Sequence, residues 1–285
     1  MLRDRADLHL HSNYSDGVQS PTEIIKSAEK IGLAGIALTD HDTLDGLSEF
    51  ITAESSTPLK RVPGVEISTE TDGREAHVLG YYIPEKPVKL LRELHNLATA
   101  RERRIPKIIG KLEHLGYDIN HAEVQDALGN ASSPGRPHIA RLLVEKGFVD
   151  SIEEAFGRLL GAGKPAYVRK ERMDTKRAIL LLRMEGAVPV LAHPLTIPNT
   201  NLRELLIELS EIGLEGVEIE YDYGHLDMEG TSEDVRTATK GLDLILTGGS
   251  DAHGEPSHGH IGDVTVSLSV IDELHEAAKR IRKSG

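Results

Sequence analysis

The 285-residue sequence predicts an α/β fold built on a parallel sheet, open or closed into a barrel, with a helical segment inserted into it. Three observations carry this prediction. Apolar, strand-like runs alternate with amphipathic helical stretches through most of the chain. The alternation stops between about residues 88 and 167, where helix formers and charge replace strand signals. The apolar runs also end again and again in His, Asp or Glu, as expected of a fold that gathers its chemistry at one end of a sheet.

Strand patterns fall near residues 5–10, 35–40, 62–68, 75–82, 188–192, 216–221 and 243–248. Helical patterns lie between several of them, at 21–31, 43–54, 176–186, 201–212 and 231–240, with 269–283 closing the chain. The first is announced by Ser20-Pro21-Thr22-Glu23, a capping-box sequence. The segment 88–167 reads as a helical insertion, which divides the barrel or sheet into residues 1–87 and 168–285. Inside it, Arg101-Glu102-Arg103-Arg104 reads as a solvated helix face rather than a nucleic-acid patch.

Composition narrows the chemistry. Lys and Arg number 33 against 46 Asp and Glu, and the formal charge of −13 argues against a broad nucleic-acid-coating surface. A small phosphorylated substrate stays compatible, because bound cations reverse the local field of an acidic site. With no cysteine, disulfides and thiolate sites are excluded, so any metal would be held by imidazole and carboxylate, which suits zinc, manganese or iron. The apolar runs are far shorter than a bilayer span, and Met1-Leu2-Arg3-Asp4-Arg5 leads into the first strand without a signal-type apolar region. The expected location is the cytoplasm, with no membrane partner.

Nine residues stand out as candidate metal ligands: His9, His11, Asp16, His41, Glu66, His77, His193, Asp251 and His253. A lone histidine is ordinarily a satisfied core or surface residue. The set is different. His9 and His11 are two apart in Ala6-Asp7-Leu8-His9-Leu10-His11, and the period of a strand puts both imidazoles on one face. Asp251 and His253 repeat that spacing. So many ionisable groups beside apolar runs would be costly unless a cation compensates them, which points to a multi-metal hydrolase.

The segments Asp7-Leu8-His9-Leu10-His11-Ser12, Ser15-Asp16-Gly17, Leu38-Thr39-Asp40-His41-Asp42, Pro63-Gly64-Val65-Glu66 and Gly249-Ser250-Asp251-Ala252-His253 resemble the PHP (polymerase and histidinol phosphatase) family. The resemblance runs in order to about residue 260 and takes in His77 and His193-Pro194. It implies a distorted (β/α)7 TIM-like barrel, an inserted small helical domain, and three divalent ions at the strand C-terminal face. It further implies that His9, His11, Glu66 and Asp251 bind one ion, that Glu66, His77 and His193 bind a second across a Glu66 bridge, and that Asp16, His41 and His253 hold the third. Some relatives carry His where Asp16 stands.

Ser133 to Arg141 and Gly163 to Val168 are similar to a subgroup that carries such an insertion. The resemblance implies hydrolysis of the 3′-phosphate of nucleoside 3′,5′-bisphosphates, or trimming of short RNA from its 5′ end. Physically, Arg136 could fork onto a phosphate and Lys164 could add a point charge. Their plainer readings are a capping loop and an ordinary turn. Two bridged ions would aim a water at phosphorus while a third neutralises phosphate, so no nucleophilic side chain is required. His138 is the candidate proton donor to the leaving oxygen, and Ser12 and Ser15 read as loop hydrogen-bonders. The alternatives are a histidinol phosphatase, a polymerase-type exonuclease, or a metal-binding regulatory module with a silent site. A Ser or Cys hydrolase lacks its motif here.

Overall fold

The structure, a computed structural model, describes residues 2–129, 131–226, 230–254 and 259–284. Its strands are β1 (Arg5–Asp7), β2 (Gly35–Leu38), β3 (Lys60–Thr71), β4 (Arg74–Tyr81), β5 (Met173–Asp174), β6 (Val188–Leu191), β7 (Gly216–Glu220), β8 (Ile245–Gly248) and β9 (Val266–Ser267). They form one sheet in the order β8-β7-β6-β4-β3-β2-β1-β9, with β5 added beside β3. The two ends of the sheet approach each other where Leu8 N–H donates to Gly248 O at 3.2 Å and Leu10 bridges Ala252, so the barrel is nearly closed. All seven anticipated strands are present. The added β5 and β9 are two residues each, too short to leave a periodic signal.

The expected parallel sheet is corrected at two strands: the short β9 runs antiparallel to β1, and β4 is reversed within the sheet. β4 runs antiparallel to both of its neighbours, β3 and β6. The cause is local: Asp72 and Gly73 adopt φ of 49° and 76°, the left-handed pair that closes a two-residue hairpin and leaves no room for a crossover helix. The reversal matters for the site. His77 stands in the first half of β4, and the antiparallel run carries it to the barrel end where residues following the parallel strands emerge.

Helices α1 (Pro21–Ile31), α2 (Leu47–Thr52), α7 (Thr175–Met184), α8 (Leu202–Glu211), α9 (Ser232–Ala238) and α10 (Ser269–Ser284) surround the sheet. Ser20 caps α1 through the anticipated capping box. α2 is shorter than its sequence pattern because Asp42 takes a left-handed φ of 51° and its N–H donates to Glu66 O at 2.9 Å, holding residues 40–43 as a loop. α10 packs Ile271, Leu274, Ala277, Ala278 and Ile281 against Leu8, Ala37, Val62 and Val188 of the sheet.

Residues 88–167 contain α3 (Val88–His114), α4 (His121–Leu128), α5 (Arg136–Glu145) and α6 (Ile152–Ala155), the last running into a π-turn at Phe156–Leu160. Helix α3 belongs to two cores at once. Leu90, Leu94 and Leu97 join the cluster that holds Val65, Val78 and Leu182, whereas Ile105, Ile108, Ile109 and Leu112 join Ile139, Leu143 and Leu160. The change of partner therefore falls inside the helix, between Leu97 and Ile105. Among the described residues, no helix is long and apolar enough to cross a membrane.

Candidate metal centre

The extended segment that follows β1 carries His9 and His11 to the barrel mouth, with Leu10 between them bridged to Ala252. A Cβ on Gly249 would stand 2.4 Å from His9 N, so only glycine lets the 249–253 loop pass this close. Asp7 fixes that loop by accepting Ser250 N–H at 2.9 Å, Ser250 Oγ–H at 2.6 Å and Gly262 N–H at 2.8 Å. Asp40 does the same on the other side, accepting from Ser12 N, Ser12 Oγ and Ser15 Oγ, each at 2.7 Å. Both serine hydroxyls are thus committed to loop structure.

Glu66 is the hub. Its Oε1 lies 2.8 Å from His77 Nδ1 and 2.9 Å from His193 Nε2, while its Oε2 lies 3.3 Å from His9 Nε2, 3.2 Å from His11 Nε2 and 3.0 Å from His41 Nδ1. Asp251 Oδ1 reaches His11 Nε2 at 3.0 Å, and Asp16 Oδ1 reaches His253 Nε2 at 3.3 Å. All nine candidates therefore meet at one mouth. Donor atoms converge in three groups: His9, His11, Glu66 and Asp251; His11, Asp16, His41 and His253; and His41, Glu66 and His77. The first repeats the expected ligand set. The others differ from it in detail, since His11 joins the Asp16 group, while His41 faces the second group that was assigned to His77 and His193.

The donor set fits divalent ions. His9 Nε2, both ring nitrogens of His11, Asp16 Oδ1, His41 Nδ1, Glu66 Oε2, His77 Nε2 and Asp251 Oδ1 are buried with no hydrogen-bond partner, although they crowd one another. Such atoms are costly unless a cation binds them. Their electrostatics agree. Burial disfavours charge on His11, yet the Asp251 and Glu66 carboxylates push its ring up to about 10. Burial opposes His77 likewise, and Glu66 and Glu75 push it up to about 9. Burial wins at His41 and takes it down to about 3, against the pull of Glu66 and Asp16.

A cleft of about 350 Å³ opens over this cluster, and its other wall is cationic: Arg101, Arg104, Arg136, Arg141 and Lys170 line it. The solvated-face reading of residues 101–104 is corrected here. Glu102 and Arg103 are exposed, but Arg101 and Arg104 are only 5% and 7% exposed and point into the cleft. Arg101 Nε donates to Asp42 Oδ2 at 3.0 Å. Arg104 Nε donates to Val168 O at 2.7 Å and Arg136 Nη1 to Leu160 O at 2.9 Å, with Arg136 lying 5.3 Å from the Phe156 ring centroid and 5.5 Å from that of Tyr167. Arg104 and Arg136 have no carboxylate in ion-pair range among the described residues, and burial followed by their mutual repulsion takes Arg104 down to about 10.

The other two insertion candidates are placed differently. Lys164 stands exposed in the turn after Gly163 and does not line the cleft. His138 is buried at the start of α5, where its Nδ1 accepts Gly135 N–H at 3.3 Å, and burial lowers its ring below the ordinary histidine value. Both take the plainer roles of turn and cap. Sequence reasoning missed Arg101, Arg104, Arg141, Lys170, Glu218 and Tyr221. Arg101 and Arg104 continue the apolar face of Leu94 and Leu97 at helical spacing, which was the signal for their burial. Glu218 interrupts the apolar run Val217-Glu218-Ile219, the same kind of signal that singled out Glu66.

Comparison with known proteins agrees with this geometry. Residues 7–181 match the PHP domain family. A 5′-3′ exoribonuclease of Haemophilus influenzae is 36% identical over 220 residues, covering 76% of this chain and 80% of that protein. A 3′,5′-nucleoside bisphosphate phosphatase of Chromobacterium violaceum is 30% identical over 215 residues, 75% of each chain. A solved structure from Bifidobacterium adolescentis, assigned as a metal-dependent phosphoesterase, matches the fold with a TM-score of 0.87 at 27% identity, covering 95% of this chain and 96% of that one. With its barrel, its imidazole and carboxylate cluster and these matches, the chain belongs to the PHP domain family.

Proposed function

We propose that the protein is a metal-dependent phosphoesterase acting on nucleotides, and that it releases the 3′-phosphate of a nucleoside 3′,5′-bisphosphate. The observation that carries the reading is the two-sided cleft. One wall presents the carboxylates and imidazoles around Glu66, and the other presents Arg104 and Arg136, which form no direct ion pair among the described residues, although the Glu75 carboxylate in the same cleft acts on Arg136 at longer range. A substrate with two separated phosphates suits such a pair of walls, and the similarity to a bisphosphate phosphatase supports it.

Divalent ions, two or three of manganese, zinc or iron, would supply an activated water and neutralise charge on the phosphate under attack. Glu66 would hold two of them apart and together, Oε1 with His77 and His193 and Oε2 with His9, His11 and Asp251. Asp16, His41 and His253 would hold the third. Residues 88–167 act in this reading as a cap, and Arg136, steadied by Leu160 O and two rings, grips the remote phosphate so that its binding energy orients the reacting one.

A second reading, trimming of short RNA from its 5′ end, is supported by the 36% identity to an exoribonuclease. The same guanidiniums would then grip a 5′-terminal phosphate. The test is a substrate profile of manganese-loaded protein against a 3′,5′-bisphosphate, the matching 3′-monophosphate and a short 5′-phosphorylated RNA. Preference for the bisphosphate is expected. Mononucleotide release from RNA as the fastest reaction would transfer the assignment to the second reading, and no metal-dependent product from any of them would overturn both.

A further inference from the structure

We propose that Lys170 is the general acid of this site, protonating the oxygen that leaves as the phosphorus–oxygen bond breaks. The inference rests on the phosphoesterase reading and on where the lysine stands. Lys170 lines the cleft and is 8% exposed. An ammonium has three donors. Here one goes to Ser68 Oγ, and Asp42 Oδ2 lies 3.6 Å away, which leaves donor capacity for the cleft. Ser68 is the cross-strand partner of His77, and directly paired side chains share a face of the sheet. The ammonium is therefore held beside the His41, Glu66 and His77 group.

Other proton carriers on the cleft wall are worse suited. Guanidiniums do not release their protons. Glu75 is committed to an ion pair with Arg172. Tyr221 donates its hydroxyl to Asp251 Oδ2 at 3.1 Å. His138, the candidate from sequence, lies outside the cleft lining and serves as a cap. The groups facing Lys170 are Arg101 from α3, Asp42 from the loop after β2, Glu75 from β4 and Arg172 from its own segment. Burial, then the Arg101 charge, outweighs the two carboxylates and brings the amine down to about 7, where a proton is readily given and regained.

The step balances. Water delivers its hydroxyl to phosphorus, the ester bond breaks with its electron pair on the departing oxygen, and Lys170 Nζ gives that oxygen a proton. The neutral amine then recovers a proton, equal to the one released from the attacking water, through solvent.

The experiment compares manganese-loaded wild type, Lys170→Arg and Lys170→Gln on p-nitrophenyl phosphate, whose leaving group needs no proton near neutrality, and on a nucleoside 3′-monophosphate, whose leaving group does. Metal content is measured for each. Both variants are expected to lose about 10²- to 10⁴-fold in kcat on the nucleotide and less than about tenfold on the aryl ester. Equal losses on both esters, or a Lys170→Arg protein that keeps the nucleotide rate, would overturn the assignment in favour of packing or charge alone. Independently of activity, amine-selective labelling of the loaded protein, read by mass spectrometry against pH, should titrate Lys170 near neutrality; a midpoint shared with surface lysines overturns it as well. A wild type that releases phosphate from neither ester defeats the phosphoesterase reading itself, a result separable from failure of the leaving-group pattern.

Discussion

Glu218 ties together two candidate metal-binding histidines from different strands. Its Oε1 lies 3.0 Å from His9 Nδ1, and its Oε2 accepts the His193 backbone N–H at 2.8 Å. A carboxylate only accepts, so His9 carries a proton on Nδ1, and its Nε2 is the atom aimed at Glu66 and Asp251, where a cation would take the place of its proton. His193 adopts a φ of 25°, a conformation that costs about 1–3 kcal/mol unless surroundings enforce it. The bond to Glu218 is one such enforcement. Replacing Glu218 by Gln should weaken divalent-ion binding about 10- to 100-fold with the fold intact, by calorimetric titration and circular dichroism. Unchanged affinity would leave the buried acid without a role in the centre.

Glu66→Gln should have a larger effect, because both oxygens of one carboxylate face separate groups of histidines. An amide offers one oxygen in place of two and no charge. Elemental analysis should find less bound metal, and kcat should fall by at least about 10³-fold, the several kcal/mol that metal-assisted charge stabilisation supplies. A variant with full metal content and near-normal rate would remove Glu66 from the bridging position.

Away from the site, Glu29 fastens the segment after α2. Its carboxylate accepts Ser55 Oγ–H at 2.6 Å, Thr57 N–H at 2.9 Å and Ser56 Oγ–H at 3.0 Å, and these bonds, that from Ser55 foremost, lower its pKa from 4.5 to about 2. The folded state then binds the proton more weakly than the unfolded one. Its contribution to stability is complete above 4.5 and is lost as pH falls through about 2. In Glu29→Gln the melting temperature should therefore fall less between those two values than in wild type. Parallel melting curves across that window would show the hydrogen bonds to be without thermodynamic weight.

The sequence made most of the metal cluster legible because its members obey a local rule, an ionisable residue at the end of an apolar run or a pair at spacing two, whereas Asp16 and the isolated His77 came with the family resemblance. Glu66 and His193 were visible for this reason. The strand reversal at β4 rests on Asp72-Gly73 in Thr71-Asp72-Gly73-Arg74, a hairpin signal that a reading by βα alternation leaves out. The cationic wall was hidden for a different cause. Whether Arg101 faces solvent or cleft depends on α3 leaving one core for another between Leu97 and Ile105, and that is decided by packing between segments far apart in the chain. Lys170 was silent as well, since Ser68 and Asp42, its partners, are over a hundred residues away.

The arginines of that wall offer the sharpest test of substrate. Arg136 is held by Leu160 O and stacked near two rings, so its geometry is set before any ligand arrives, and little rotamer entropy is left to lose on binding. Arg104 beside it is buried, and among the described residues it has no carboxylate partner and its Nη2 no hydrogen-bond partner. An anion between them would meet two guanidiniums that, among the described residues, have no carboxylate in ion-pair range, only the Glu75 charge acting on Arg136 from farther off. A bisphosphate supplies that second anion and a monophosphate does not. The ratio of kcat/KM for a nucleoside 3′,5′-bisphosphate over its 3′-monophosphate should therefore exceed one, and Arg136→Ala should shrink it by roughly 1.5–3 kcal/mol, the worth of a charged hydrogen bond. Arg104→Ala should act in the same direction. Because the two guanidiniums repel each other, the double variant should lose less than the sum of the single losses. Equal rates on the two substrates, or single variants that leave the ratio untouched, would make these arginines supports of the cap alone and return the enzyme to a phosphoesterase that reads one phosphate.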